Sequence, residues 1–143
     1  MRDWLRAELA DPALHDAAAA DALTAASEWD ALLRASPKNV IRATQVVVAH
    51  LALADARIAT GDAAGADDSF EAAARTCDAV DPNVNVIDLR LACAEVDAKR
   101  ASRATDGAHA TALRDHARAI LATVPPSRIR PHANERWLRD LPR

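Results

Sequence analysis

Apolar residues recur at three- and four-residue steps along most of this chain, which is the spacing of a buried helix face. The segment 38–60 shows this spacing most clearly. Its stripe comprises Val40, Thr44, Val47, Leu51, Ala54 and Ile58. Ile41, Val48 and Ala52 widen the stripe to one side, so we expect this helix to pack between two others. His50 stands among these apolar positions, and we expect it to hydrogen-bond to a neighbouring helix.

Prolines and glycines divide the chain at regular intervals. Asp11-Pro12, Ser36-Pro37 and Asp81-Pro82 each place a capping side chain before a proline at the predicted first helical position. Gly61 and Gly107 stand where helices should end or reverse, because glycine tolerates the left-handed C-terminal turn. These signals predict an all-α fold of about seven helices. The predicted helices span residues 3–10, 13–34, 38–60, 63–80, 83–105, 108–123 and 131–141.

A sequence repeat with a period near 46 residues runs through the chain. The alanine-rich stretch 16–21 recurs at 62–67, and Ser36-Pro37 recurs as Asp81-Pro82. A period of this length with two helices per repeat is typical of an α-solenoid. We therefore predict antiparallel helix pairs stacked as a short right-handed superhelix. The predicted single domain spans residues 1–143, with approximate repeats 13–60, 63–105 and 108–141.

One repeat carries a family pattern of small residues, a turn glycine and a boundary proline. Its residues are Leu53-Ala54, Gly61, Ala66, Phe70 and Ala73, followed by Asp81-Pro82. With them the chain resembles the tetratricopeptide-repeat family over about residues 47–82, while His50 and Arg57 stand where that family prefers large aromatic residues. The resemblance implies a tetratricopeptide-like interaction scaffold without chemistry of its own. It also implies a regulatory or C-terminal module of a bacterial signalling protein, such as a serine/threonine kinase.

The amino-acid composition argues against several classes of protein. The chain has 37 alanines and three glycines in 143 residues, which favours helices over a β-sandwich or barrel. It contains no uninterrupted run of 18 apolar residues, so we expect no membrane span. Because no apolar signal segment follows Met1, we expect a cytoplasmic protein. Cys77 and Cys93 fit this expectation as two reduced thiols in the core.

The sequence contains no arrangement of residues that we identify as catalytic. Its serines lie in no nucleophile elbow, and three glycines are too few for a phosphate-binding loop. The pair Asp67-Asp68 falls in the first turn of a predicted helix, where carboxylates complement the helix dipole. His109 and His116 lie two helical turns apart, without a third metal ligand at a suitable spacing. We predict a non-enzymatic protein with no cofactor and no metal site.

Charge is distributed unevenly along the chain, whose net charge is −3. Residues 1–33 carry seven acids against two bases, whereas residues 99–143 carry ten bases against four acids. We expect the basic end to bind an acidic protein partner, or the chain's own acidic face. Nucleic acid is the weaker alternative, because the whole chain is acidic and prolines interrupt its arginines. The arginines of the tail are Arg128, Arg130, Arg136, Arg139 and Arg143.

Two sets of residues are candidates for partner contacts. The first set comprises polar groups on a largely apolar helix, which we place in a groove: Arg42, Gln45, His50 and Arg57. The second set is Trp137 with Arg139, in a near-copy of Trp4-Leu5-Arg6 at the opposite end. Each tryptophan either seals one end of the stack or forms an exposed anchor for a partner or a second copy. Two alternative functions stay open, namely a self-association (dimerisation) module and a small-ligand sensor with a pocket between helices.

Overall fold

The computed structural model describes residues 10–141, and every regular element in that range is helical, which confirms the all-α prediction. The α-helices are α1 (His15–Ala35), α2 (Val40–Ala59), α3 (Ala63–Ala79), α4 (Ile87–Arg103), α5 (Gly107–Ala122), α6 (Pro126–Ile129) and α7 (Arg136–Arg139). Two 3₁₀ helices span Pro12–Leu14 and Arg130–His132. The helix predicted over 3–10, the Trp4-Leu5-Arg6 motif and Arg143 lie outside the described residues. Among the helices within 10–141, none has the length and apolarity needed to cross a membrane.

The chain divides into two compact units, Met1–Val80 and Asp81–Arg143. The first contains α1 to α3, and the second contains α4 to α7. Each unit is a small helical assembly with its own packed helices. The stacking of three repeats into one superhelix stays a prediction.

The helix starts predicted at a capping residue followed by a proline differ in outcome. The Asp11-Pro12 prediction is confirmed, because the Asp11 carboxylate accepts a backbone N–H in the first 3₁₀ turn. The Ser36-Pro37 prediction is wrong, because Ser36 ends α1. Asn39 caps α2 instead by accepting the N–H of Arg42 at 3.0 Å. The dipeptide is therefore part of the turn between two helices.

Of the three boundaries predicted further along the chain, two are wrong and one is confirmed. The start predicted at Asp81-Pro82 is wrong: Asp81 accepts the N–H of Asn83 at 2.8 Å in a local turn, and α4 begins only at Ile87. Gly107 is the first residue of α5 and not the end of a helix. Gly61 confirms its prediction with a φ of 81°, in the left-handed region that glycine tolerates between α2 and α3.

In the first unit α2 packs against both α1 and α3, as its broad apolar surface predicts. The seam with α1 consists largely of alanines, whose small side chains let two helices approach closely. Its buried members are Ala22, Ala26, Ala49, Leu53 and Ala56, with Ala19 and Trp29 packed beside them. The predicted widening of the α2 stripe is wrong at Ile41, whose surface is 72% exposed. That side of the first turn of α2 is left uncovered by the unit.

In the second unit α5 and the C-terminal turns pack against α4. The core joins Ala94, Ala98, Ala117 and Trp137, with Ile120, Leu121, Leu138 and Leu141 partly buried around it. The helix predicted over 131–141 is wrong as a continuous element. It is replaced by the 3₁₀ helix Arg130–His132 and the single turn α7, which folds Trp137 onto α4 and α5.

The two cysteines are not thiols. Cys77 and Cys93 are both disulfide-bonded, so the prediction of two reduced core thiols is wrong. Residues 80–86, between the helices that carry the two cysteines, are not helical. Disulfides persist mainly in oxidising compartments. The cysteines therefore no longer support a cytoplasmic location.

Candidate functional site

The four residues that we placed in a groove lie on α2 but are directed to different neighbours. The guanidinium of Arg42 donates to the carbonyl of Leu32 near the end of α1, at 2.9 Å. Gln45 is half-buried and forms no hydrogen bond within residues 10–141. His50 and Arg57 are bonded inside the first unit, as described next. The four polar side chains therefore do not line one common groove.

Arg57 joins the end of α2 to the first turn of α3. Its Nη1 atom donates to the carbonyl of Gly65 at 2.8 Å and to the hydroxyl of Ser69 at 2.9 Å. Its Nε atom lies 3.7 Å from the carboxylate of Asp62, which also caps α3. Because Ser69 is buried, the guanidinium satisfies a polar group that water cannot reach. Arg57 thus fixes the corner between the two helices.

His50 is buried at the contact between α1 and α2, which confirms that it hydrogen-bonds to a neighbouring helix. Its Nε2 atom lies 3.0 and 3.1 Å from the two carboxylate oxygens of Asp30. A carboxylate only accepts at neutral pH, so the Nε2–H donates to it. The other ring nitrogen, Nδ1, is buried without a hydrogen-bond partner. The pair holds α1 in register against α2.

The uncovered strip of α2 begins at Ile41. Gln45 and Val48 follow it at steps of four and three residues, so the three side chains lie on one side of the helix. Gln45 and Val48 are half-buried, whereas Ile41 is the most exposed of the large apolar side chains described. This strip, Ile41–Gln45–Val48, includes Gln45, one of the four residues that we placed in a groove.

Buried acids on α4 were missed in the sequence. Glu95 lies 3.0 Å from the ammonium of Lys99, and Asp97 lies 3.6 Å from the guanidinium of Arg100. Asp97 also lies 2.6 Å from Nδ1 of His116 on α5. Their four- and three-residue spacings along one helix were the available signal. Lys99 and Arg100 are themselves half-buried, although they lie near the end of the helix.

Trp137 has the packing role, one of the two alternatives that the sequence left open. Its side chain is 8% exposed, in the core formed with α4 and α5. Its indole Nε1–H donates to Glu135 at 2.8 Å, and the other oxygen of that carboxylate accepts from His132 at 2.8 Å. Arg139, on the same turn, is exposed. Glu135 therefore joins the 3₁₀ helix Arg130–His132 to α7.

Substitutions of Arg57 and Arg42 should differ in their effect on the stability of the first unit. We expect Arg57→Met to lower the free energy of unfolding by about 1.5–3 kcal/mol, because hydrogen bonds that a charged group makes to buried partners are lost. Arg42→Met is the matched control, and its single exposed hydrogen bond predicts a loss of less than about 1 kcal/mol. Urea denaturation of both variants tests this. Equal losses would contradict the role assigned to Arg57.

Several ionisable side chains of the described residues pair with one another across helices and turns. No group of three or more histidine, cysteine, aspartate or glutamate side chains within residues 10–141 is placed to hold a metal ion. His50, His116 and His132 each lie against one carboxylate. These contacts stabilise the packing of neighbouring helices and turns. No protein-family model, curated protein or solved structure matches this chain.

Proposed function

We propose that this protein is a non-catalytic interaction scaffold, a tetratricopeptide-like regulatory module of a signalling protein, that binds a protein partner on the strip Ile41–Gln45–Val48. The observation that carries the proposal is the 72% exposure of Ile41 on a helix that is otherwise largely buried. When a partner covers a large apolar side chain that is exposed on a packed helix, the burial favours binding.

Hydrogen bonds of α2 to its neighbouring helices support this role. His50 bonds to Asp30 on α1, and Arg57 bonds to Gly65 and Ser69 on α3. They hold α2 at a fixed position, so that a partner meets a preformed surface and less ordering cost opposes binding. Full burial of one isoleucine contributes about 1.5–3 kcal/mol, which corresponds to roughly ten- to a hundredfold in affinity.

A substitution at Ile41 tests the surface directly. A peptide selected from a random display library against the wild-type protein serves as the probe. We expect Ile41→Ser to weaken its binding by roughly tenfold or more, measured by calorimetry. Ile58→Ser is the matched control, because Ile58 is an exposed isoleucine, 45% accessible, in the last turn of the same helix. If both variants bind like wild type, or both weaken equally, the strip is not the binding surface.

Self-association is the second candidate, and the same exposed isoleucine favours it. A symmetric dimer brings the same patch of both copies together, so one uncovered apolar side chain is buried twice. Light scattering of the wild-type protein and Ile41→Ser distinguishes the two candidates. A wild-type dimer that the substitution converts to a monomer assigns the strip to self-association. A monomer in both cases leaves the strip to a different protein.

A further inference from the structure

The C-terminal segment of the second unit presents a concentration of arginines to solvent. Its four exposed arginines are Arg128, Arg130, Arg136 and Arg139. Two carboxylates lie in the same stretch. Glu135 is bonded to His132 and Trp137, and Asp140 is exposed, so the four arginines outnumber the two carboxylates. We call these four exposed side chains together the arginine face.

The backbone beneath the arginine face is held in place by apolar contacts. Trp137 is buried against α4 and α5, and Leu138 is partly buried beside it. On a helical turn, residues three apart lie about 60° from each other. Arg136 and Arg139 therefore share the side of α7 that is opposite to Trp137 and Leu138. The turn is anchored by its apolar side and displays its guanidinium groups on the other.

Internal ion pairs leave these charges available. Arg128 lies 3.0 Å from Asp88, and Arg136 lies 3.3 Å from Asp140, but all four groups are more than half exposed. Exposed pairs of this kind contribute little free energy and exchange readily with other anions. The side chains of Arg130 and Arg139 make no hydrogen bond or ion pair within residues 10–141. A partner can therefore bind all four arginines, because breaking the two exposed ion pairs costs little free energy.

We propose that the arginine face is a docking surface for an acidic protein segment, one rich in aspartate and glutamate. Guanidinium groups bind carboxylates through two parallel hydrogen bonds, which matches this set of arginines. Residues 10–80 carry eleven acids against five bases, and such a charge disfavours a long polyanion such as nucleic acid.

The proposal gives the chemistry of a partner for the proposed scaffold and rests on that function, but it uses a different surface. A fluorescent peptide of eight glutamates is titrated with the protein and followed by anisotropy, at about 20 mM and about 300 mM NaCl. An eight-serine peptide and an oligothymidylate of eight nucleotides are titrated in parallel. We expect the glutamate peptide to bind at low salt, to weaken at high salt, and to bind more tightly than either control.

Paired substitutions locate the binding surface. We expect Arg130→Gln with Arg139→Gln to weaken glutamate-peptide binding by roughly fivefold or more. Arg34→Gln with Arg75→Gln removes the same charge from exposed positions in the first unit and should bind like wild type. Ile41→Ser should also bind like wild type, so a failure of the strip and a failure of the arginine face are distinguishable. The proposal is overturned by no binding, by equal effects of the two arginine pairs, or by tighter binding of the oligothymidylate.

Discussion

Phe70→Ala is expected to lower the free energy of unfolding of the first unit by about 3–5 kcal/mol. Phe70 is the only phenylalanine of the chain and, at 2% exposed, one of its largest fully buried side chains. Ala66 and Ala73 lie one turn before and after it on α3, and both are completely buried. An alanine has no side-chain rotamers with which to fill a neighbouring cavity. The space left by the ring therefore stays open, and the cost should lie towards the upper end of the range.

Urea denaturation combined with hydrogen exchange and mass spectrometry measures this loss and assigns it to a unit. Ile41→Ala is the control, because it removes an apolar side chain from an exposed position in the same unit and should change stability by less than about 0.5 kcal/mol. Phe70→Leu should fall between the two, because it keeps most of the buried volume. A loss below about 1 kcal/mol for Phe70→Ala would show that the ring does not fill the core.

The helices of the first unit were largely predictable, because the signals that define them are local. The apolar spacing within 38–60 and the turn glycine Gly61 place α2 and the start of α3 close to their observed bounds. Errors arose where two local signals compete. Asn39, two residues after Pro37, provides the cap for α2, and Asp81 bonds to its own turn rather than to a helix. At Pro37 and Pro82 the proline marks the break between two helices and not the start of the next one.

The candidate site was less predictable, because its contacts join positions far apart in the chain. The sequence indicates that His50 needs a partner on another helix, but Asp30 is identified only by the packing of α1 on α2. Asp97 and His116 are 19 residues apart and likewise meet only when α4 packs against α5. The exposure of Ile41 could not be predicted from the sequence either. Apolar spacing places it beside buried residues but does not say whether a neighbouring helix covers it.

Trp137→Ala is expected to lower the free energy of unfolding of the second unit by about 3–5 kcal/mol, because the indole packs against Ala94, Ala98 and Ala117. Trp137→Phe keeps an aromatic ring in that space and loses the hydrogen bond to the Glu135 carboxylate, so we expect a loss of about 1.5–3 kcal/mol from the bond itself. Denaturation followed by hydrogen exchange in α4 and α5 measures both losses.

Arg139→Ala separates the packing role of this turn from its binding role. Arg139 is exposed and has no internal partner among residues 10–141, so its removal should leave stability within about 0.5 kcal/mol of wild type while weakening the glutamate peptide. Trp137→Ala should weaken the peptide only through the loss of the anchored turn, and Trp137→Phe should therefore bind it normally. If Trp137→Ala instead left stability unchanged and abolished binding, the indole would be a contact for the partner. Because Trp137 is buried, we expect Trp137→Ala to lower stability and Arg139→Ala to leave it unchanged. The tryptophan then holds the turn in place, and the arginines bind the acidic segment.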